Sequence, residues 1–135
     1  MTHKGMQPVP ECDDIEVRDL QDGDINDLFR WRNHPDIRRN FFNSSPVSWS
    51  EHKRWFRAKK QDPNTTIYIA CYEGTNIGSI RFEDKGEVIK VSIMLNPDFI
   101  GKGFGSEIIR IGTEKLIAEK RPKKFKYLYP RLPRF

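Results

Sequence analysis

The sequence predicts an α+β domain (mixed α/β) in which helices flank a central, mostly antiparallel sheet. Three observations carry that reading. Between residues 66 and 95, the β-forming runs "TIYIACY", "IGSIRFED" and "VIKVSIML" are separated only by short turns, as in an antiparallel meander. Ahead of them, apolar residues recur at helical spacing in two segments. Behind them, glycines at 101, 103 and 105 lead directly into a third helical pattern.

Each element can be justified in order. "IEVRDL" alternates and places Ile15 and Val17 on one side of a first strand. In "DGDINDLFRWR", Ile25, Leu28, Phe29 and Arg32 share helical spacing, with Asp24 as the expected N-cap. Pro35 ends or bends that helix. Ser48-Trp49-Ser50-Glu51 is a capping box, and it opens a helix through about Gln61 with Trp49, Trp55 and Phe56 as its bulky residues. In the last run of the meander, Ile89, Val91, Ile93 and Leu95 fall on one face. The final helix covers about 103–119, with Ile109, Gly112 and Leu116 on one stripe. "KKFKYLY" reads as one more strand, ended by Pro130 and Pro133.

The chain has 135 residues, enough for one domain with a real core. The boundaries expected are a leader at 1–14, a single domain at 15–129 and a basic tail at 130–135. No apolar run approaches the ~20 residues of a membrane span. The first residues carry no apolar signal region, and there are only two cysteines, Cys12 and Cys71. The expectation is a cytoplasmic protein that uses no membrane. The formal charge is +5, but seven of the 24 Lys and Arg lie in 120–135, where there is no acid. The other 17 face all 19 acids, so the body is close to neutral and nucleic acid is not the expected partner. A solvated basic end explains the pI; contact of that end with RNA, through Tyr127 and Tyr129, is the alternative. No His, Cys, Asp and Glu spacing suggests a metal site.

The segment Gly101-Lys102-Gly103-Phe104-Gly105-Ser106 follows a strand and opens a helix. Free amides and the positive end of the helix dipole gather there, and glycine lets an anion approach the main chain. A P-loop requires Ser or Thr after its lysine, and Lys102 is followed by Gly103. A dinucleotide fingerprint requires a third glycine that "GFGSEI" does not place, and a parallel unit before it. From the residues alone, an anion cradle and a ligand-free strand–helix turn both remain open.

The wider stretch "LNPDFIGKGFGSEII" resembles the acetyl-CoA loop of the GNAT acetyltransferase superfamily, whose pattern is Val-x-Pro-x-Tyr-Arg/Gln-Gly-x-Gly-Ile/Leu-Gly/Ala. Leu95, Pro97, Phe99, Gly101, Gly103, Phe104 and Gly105 fall on matching positions, whereas Ile100 stands where the family usually has Arg or Gln. The resemblance implies acetyl-CoA as cosubstrate, with Gly101, Lys102, Gly103, Phe104, Gly105 and Ser106 at its pyrophosphate. It also implies backbone groups of Ile93, Met94 and Leu95 at the pantetheine and acetyl carbonyl. A primary amine then attacks the thioester directly, with no covalent enzyme intermediate.

"FRWRNHPDIRRNFFNSSPVSWSEHKRWF" is similar to GNAT enzymes that acetylate nucleotide-linked amino sugars, the pseudaminic-acid and spore-coat-polysaccharide type. The matching residues are Trp31, Arg32, Asn33, Pro35, Arg38, Phe41, Ser48, Glu51, His52, Trp55 and Phe56. The implied acceptor is a small-molecule amine, a sugar nucleotide of surface polysaccharide biosynthesis. Trp31, Arg32, Asn33 and Arg38 are the candidate substrate-binding residues, since guanidinium forks match phosphate and a ring such as Trp31 or Phe42 can stack on a base. The alternative places Trp31, Trp55 and Phe56 in the core and leaves Arg38 solvated. Protein N-terminal acetyltransferases of the ribosomal-protein type share parts of the pattern and are the second acceptor class. The general base is unassigned among His34, His52, Glu83 and Glu87; the two glutamates flank a hairpin, where a carboxylate is ordinarily solvated, and no catalytic residue is named.

The family pattern continues past its fifth strand with a helix that usually carries a tyrosine acid and with two more strands. This chain ends at "KYLYPRLPRF". The expectation is a C-terminally truncated member, which keeps the acetyl-CoA loop with weakened or absent acyl transfer, as an inactive binding module would. An unpaired sheet edge would favour a homo-oligomer.

Overall fold

Alternation of apolar side chains builds the sheet described by a computed structural model, which covers residues 14–120 together with the short strand Leu128–Tyr129. Its strands are β1 (Ile15–Asp19), β2 (Thr65–Tyr72), β3 (Thr75–Asp84), β4 (Ile89–Leu95) and β5 (Leu128–Tyr129), in that spatial order. β1 to β4 pair antiparallel, and β5 joins β4 in parallel at Ile89 and Lys90. Residues 1–13, 121–127 and 130–135, among them Tyr127, lie outside the described residues.

The hairpin turns follow from local chemistry. Between β2 and β3, Glu73 (φ 49°) and Gly74 (φ 80°) both occupy the left-handed region, the requirement of a two-residue turn whose twist suits the strands. Between β3 and β4, Asp84 Oδ1 accepts the Gly86 N–H at 2.9 Å.

The helices are α1 (Ile25–Asn33), the single turn α2 (Pro35–Arg38), α3 (Trp49–Gln61) and α4 (Phe104–Lys120). The capping box forms as the sequence predicts: Ser48 Oγ accepts the Glu51 N–H and Glu51 Oε1 accepts the Ser48 N–H, each at 3.1 Å. Asp24 departs from expectation. Its carboxylate makes no cap bond to α1. It accepts the Gln21 N–H at 2.7 Å and both Arg18 Nη groups at 2.8 Å. A bidentate charged partner on β1 outcompetes the backbone amides of α1.

The sheet separates two cores. On one side α4 covers Tyr68, Ala70, Ile80, Phe82, Val91 and Leu95 with Phe104, Ile108 and Leu116. On the other, α1 and α3 bring Leu28, Trp31 and Phe56 onto Ile69, with Met94 of β4 packed against them. Met94 thus joins α1 and α3 to the strand that leads into the glycine loop.

Candidate functional site

The strand–glycine–helix junction is built by Asn96. Its Oδ1 accepts the Asp98 N–H at 3.1 Å and starts the 3-10 turn Pro97–Phe99. The chain then enters the left-handed region twice, at Gly101 (φ 78°) and Gly103 (φ 85°), before α4 begins at Phe104. These are conformations that side chains strain, which is why glycine stands there. A Cβ added at Gly101 meets nothing within 4 Å, so the space beside the main chain is open. Phe104 is buried, edge-on to Tyr72 at 4.9 Å and Phe99 at 5.5 Å, and so pins the first turn of α4 to the sheet. Gly105 is buried, whereas Gly101, Lys102, Gly103 and Ser106 are exposed. Among the described residues no side chain accepts a bond from the amides of 101–106. Open space, unused amides, a helix dipole and the exposed Lys102 fit a pyrophosphate.

Residues 93–95 of β4 use one edge for β3, opposite Ile80, Ser79 and Gly78. On the other edge, β4 is paired with β5 only at Ile89 and Lys90 among the described residues. Among the described residues, nothing pairs with that edge of the main chain from Val91 onward. β3 approaches β4 closely here, because a Cβ on Gly78 would lie 2.9 Å from the Met94 carbonyl.

The candidate substrate-binding residues divide. Trp31, expected as a stacking ring, is 0% exposed within the second core, and this corrects the sequence reading in favour of its alternative. Its indole N–H has no hydrogen-bond partner among the described residues. Asn33 holds the loop after α2 by bonding both main-chain groups of Val47. Arg32 and Arg38 come together. Arg32 Nη2 donates to the Asn43 carbonyl at 3.1 Å, and its guanidinium lies 4.0 Å from the centre of the Phe41 ring. Arg38 Nε donates to the Asn33 carbonyl at 3.1 Å. Among the described residues neither has a carboxylate partner, and Arg32 Nη1 is shielded from solvent with no bond at all. Burial, and then the nearby Arg38 charge, push the Arg32 pKa below its usual value. A cavity of about 330 Å³ opens beside this pair, lined by Pro35, Arg38, Arg39, Phe41 and Ser44. Phe42, next in sequence to Phe41, is fully exposed.

The base candidates resolve into structural groups. His34 Nδ1 accepts the Asp36 N–H at 3.1 Å and caps α2. His52 is 3% exposed, its Nε2 lies 2.9 Å from the Ile25 carbonyl, and Phe29, Trp49, Trp55 and Phe56 surround it. Burial lowers its pKa, so the ring is held neutral and Nε2–H donates. Glu83 corrects the expectation of a solvated hairpin carboxylate. It is 5% exposed and accepts from Lys59 Nζ at 2.5 Å. Arg81 Nε lies 3.3 Å away, near enough for charge attraction and too poorly aligned for a hydrogen bond. Glu87 remains exposed. No group of His, Cys, Asp and Glu suited to a metal occurs among the described residues.

Sequence reasoning passed over Asn96 and Asn76, although the Asn-Pro pair at a strand end was a signal for a turn-forming side chain. Asn96 is 7% exposed, and its Nδ2 donates to the Asn76 carbonyl at 3.0 Å.

Comparison with known proteins agrees with this geometry. Two proteins named Acetyltransferase PseH, from Campylobacter jejuni strains, are each 28% identical to the chain, over 121 and 101 residues. These matches cover 82% and 73% of this chain, which spans 76% and 64% of the relatives' own lengths. Among solved structures, spermidine N-acetyltransferase from Vibrio cholerae in complex with CoA and spermine superposes with a TM-score of 0.70. That match has 18% identity and covers 81% of this chain and 67% of the other. AAC(6')-Ib in complex with paromomycin and acetyl-CoA gives a TM-score of 0.67 at 20% identity, covering 78% and 67%. The profile of the acetyltransferase (GNAT) domain matches residues 14–128. The chain therefore belongs to the GNAT acetyltransferase family, with acetyl-CoA as its cosubstrate.

Proposed function

We propose that this chain acts as an N-acetyltransferase on a primary amine of a nucleotide-linked amino sugar. The observation that carries the reading is Arg38, which lines the open cavity beside Phe41, with the charge of Arg32 near it; neither has a described carboxylate partner. Two guanidinium groups placed close together are strained by mutual repulsion until an anion arrives, and a diphosphate supplies that charge in bidentate geometry. A polyamine such as spermidine would meet like charge there, so the acceptor of the superposed V. cholerae enzyme is disfavoured. The exposed Phe42 ring offers a stacking face for a base. Similarity to the two PseH proteins and the resemblance of the Trp31–Phe56 region to the pseudaminic-acid type support the same acceptor class.

Acetyl-CoA supplies an activated acetyl thioester. The protein's own part begins at the loop amides of 101–106 and Lys102, which neutralise the pyrophosphate. Main-chain N–H groups on the free edge of β4, at Ile93, Met94 and Leu95, are the candidate donors to a developing oxyanion. No base is assigned: Glu83, His52 and His34 are committed to structural bonds, and Glu87 is exposed.

The reading includes a cytoplasmic setting and self-association; no described helix is long and apolar enough to cross a membrane. Light scattering reads the self-association, and a monomer counts against it.

The deciding experiment is an acceptor panel with acetyl-CoA: a UDP-linked 4-amino sugar, a peptide with a free α-amine, and spermidine. Preferred turnover of the sugar nucleotide, with a raised KM in Arg32→Ala and Arg38→Ala, supports the proposal. Preference for the peptide moves the chain to the protein N-terminal class. Acetyl-CoA binding without turnover of any acceptor makes it a binding module.

A further inference from the structure

Asn96 sits where β4 ends and the glycine loop begins; its carbonyl accepts the Phe99 N–H at 2.8 Å, and three further hydrogen bonds run in different directions. One is local, from the Asp98 N–H to Oδ1 at 3.1 Å. The other two reach the start of β3: the Asn96 N–H donates to the Ile77 carbonyl at 2.8 Å, and Nδ2 donates to the Asn76 carbonyl at 3.0 Å. Asn76 extends the chain of bonds. Its Nδ2 donates to Asp27 Oδ2 at 2.8 Å, and its Oδ1 accepts from Cys71 Sγ at 3.1 Å and Arg18 Nη2 at 3.4 Å. Asp27 belongs to α1, the helix that carries Arg32.

The glycine loop has little else to fix it. Two of its residues are glycines in left-handed conformations, and Gly101 touches no packing atom in the direction of a Cβ. Phe104 anchors the far end, where α4 starts. The near end is held by Asn96 and by Phe99, which packs against the core under α4; of the two, only Asn96 ties it to β3 by hydrogen bonds. We infer that Asn96 is a positioning residue, which sets the loop amides for the pyrophosphate through its bond to Asn76. Asn76 in turn ties that junction to α1. The assignment goes beyond the acceptor reading and does not depend on it.

The two roles of the Asn96 side chain can be separated. Asn96→Ser retains an oxygen that can accept the Asp98 N–H and removes the donor to Asn76. Asn76→Ala leaves the carbonyl that Asn96 uses and removes the link to Asp27. Calorimetry is run on the full chain with two probes: acetyl-CoA, and adenosine 3′-phosphate 5′-diphosphate, which has the pyrophosphate and lacks the pantetheine arm. The expected result is a loss of about tenfold in affinity for both probes in Asn96→Ser, equivalent to ~1.4 kcal/mol. Asn76→Ala should stay within about twofold of the parent, by the same scale. A merely structural defect would not weaken the two probes by a common factor in one variant and spare the other. The proposal is overturned if Asn96→Ser binds both probes like the parent, if its loss is confined to acetyl-CoA, or if Asn76→Ala loses as much. NMR on the unmutated protein is independent of how the variants fold. Exchange of the Asn96 side-chain amide protons should slow when acetyl-CoA is added, and unchanged exchange overturns the proposal.

Discussion

Asn33 and Val47 exchange two hydrogen bonds: Asn33 Nδ2 donates to the Val47 carbonyl at 2.9 Å and the Val47 N–H donates to Asn33 Oδ1 at 2.7 Å. A side-chain amide here imitates a strand partner and closes a loop that carries Phe41, Phe42 and Ser44. Asn33→Ala leaves both main-chain groups of Val47 unpaired, at a cost of about 1–3 kcal/mol. The expected outcome is a lower melting temperature and a raised acceptor KM, with acetyl-CoA affinity retained because the glycine loop is untouched. Calorimetry and steady-state kinetics check the split. Loss of acetyl-CoA binding equal to the acceptor effect would show that the loop is not a separate unit.

Gly103 and Gly101 share positive φ, so substitution at either is strained, by about 1–3 kcal/mol for a non-glycine residue. Gly103→Val adds a β-branched side chain, which left-handed backbone tolerates least. It should weaken acetyl-CoA severely. Gly101→Ala has free space for its Cβ and should weaken it less. Titration of both variants orders them, and a Gly103→Val protein that binds like the parent removes the loop from the cofactor site.

Legibility in the sequence followed the range of the interactions. The capping box at Ser48 and Glu51 is closed by residues three apart, and the meander by turns of a few residues, so both could be read directly. The turn into α4 was legible because left-handed backbone angles at 101 and 103 demand glycine. Trp31 was ambiguous, because a tryptophan at helical spacing serves a core or a ligand equally until the neighbouring layer is known. That layer is Ile69, 38 residues away along the chain. Glu83 looked solvated beside a turn, and only the docking of α3 brings Lys59 to it. Asp24 carried the signal of a cap, and the nearby turn delivered it to Arg18 instead.

Glu83 and His52 predict two separate windows of acid sensitivity. Burial alone would raise the Glu83 pKa, but the Lys59 hydrogen bond and the Arg81 charge outweigh it and hold the carboxyl below its ordinary value. Its contribution is present above the unfolded pKa of about 4.3 and is lost as pH falls through the lower folded value. The His52 pKa is lowered, mainly by burial, so the folded ring resists the proton that the unfolded ring accepts near pH 6.5. That contribution is present above about pH 6.5 and is lost as pH falls through the folded value. Urea unfolding from pH 7.5 to pH 3 should therefore show a first decline that His52→Phe removes and a later one that Glu83→Gln removes. Identical pH profiles for parent and variants would refute both assignments.

Gly112 lies where α4 crosses β3, and a Cβ there would stand 2.9 Å from Ile80 Cγ2 and 3.3 Å from Ile80 Cδ1. Two effects oppose each other in Gly112→Ala. Alanine improves helix propensity by about 1 kcal/mol. Overpacking against a core residue with 0% exposure costs about 1–3 kcal/mol, so the clash is expected to win. The identity of the closest atom makes the test selective. Ile80→Val removes Cδ1 and keeps a methyl at the Cγ2 position, so it should rescue Gly112→Ala poorly. Ile80→Ala removes both contacts and by itself costs about 2–5 kcal/mol through the cavity it leaves. The new methyl on residue 112 then fills part of that cavity, and the double variant should be more stable than the sum of the singles by about 1–2 kcal/mol. Denaturant unfolding of all four proteins measures this coupling. Additivity within about 0.3 kcal/mol would mean that α4 does not rest on Ile80 at this distance.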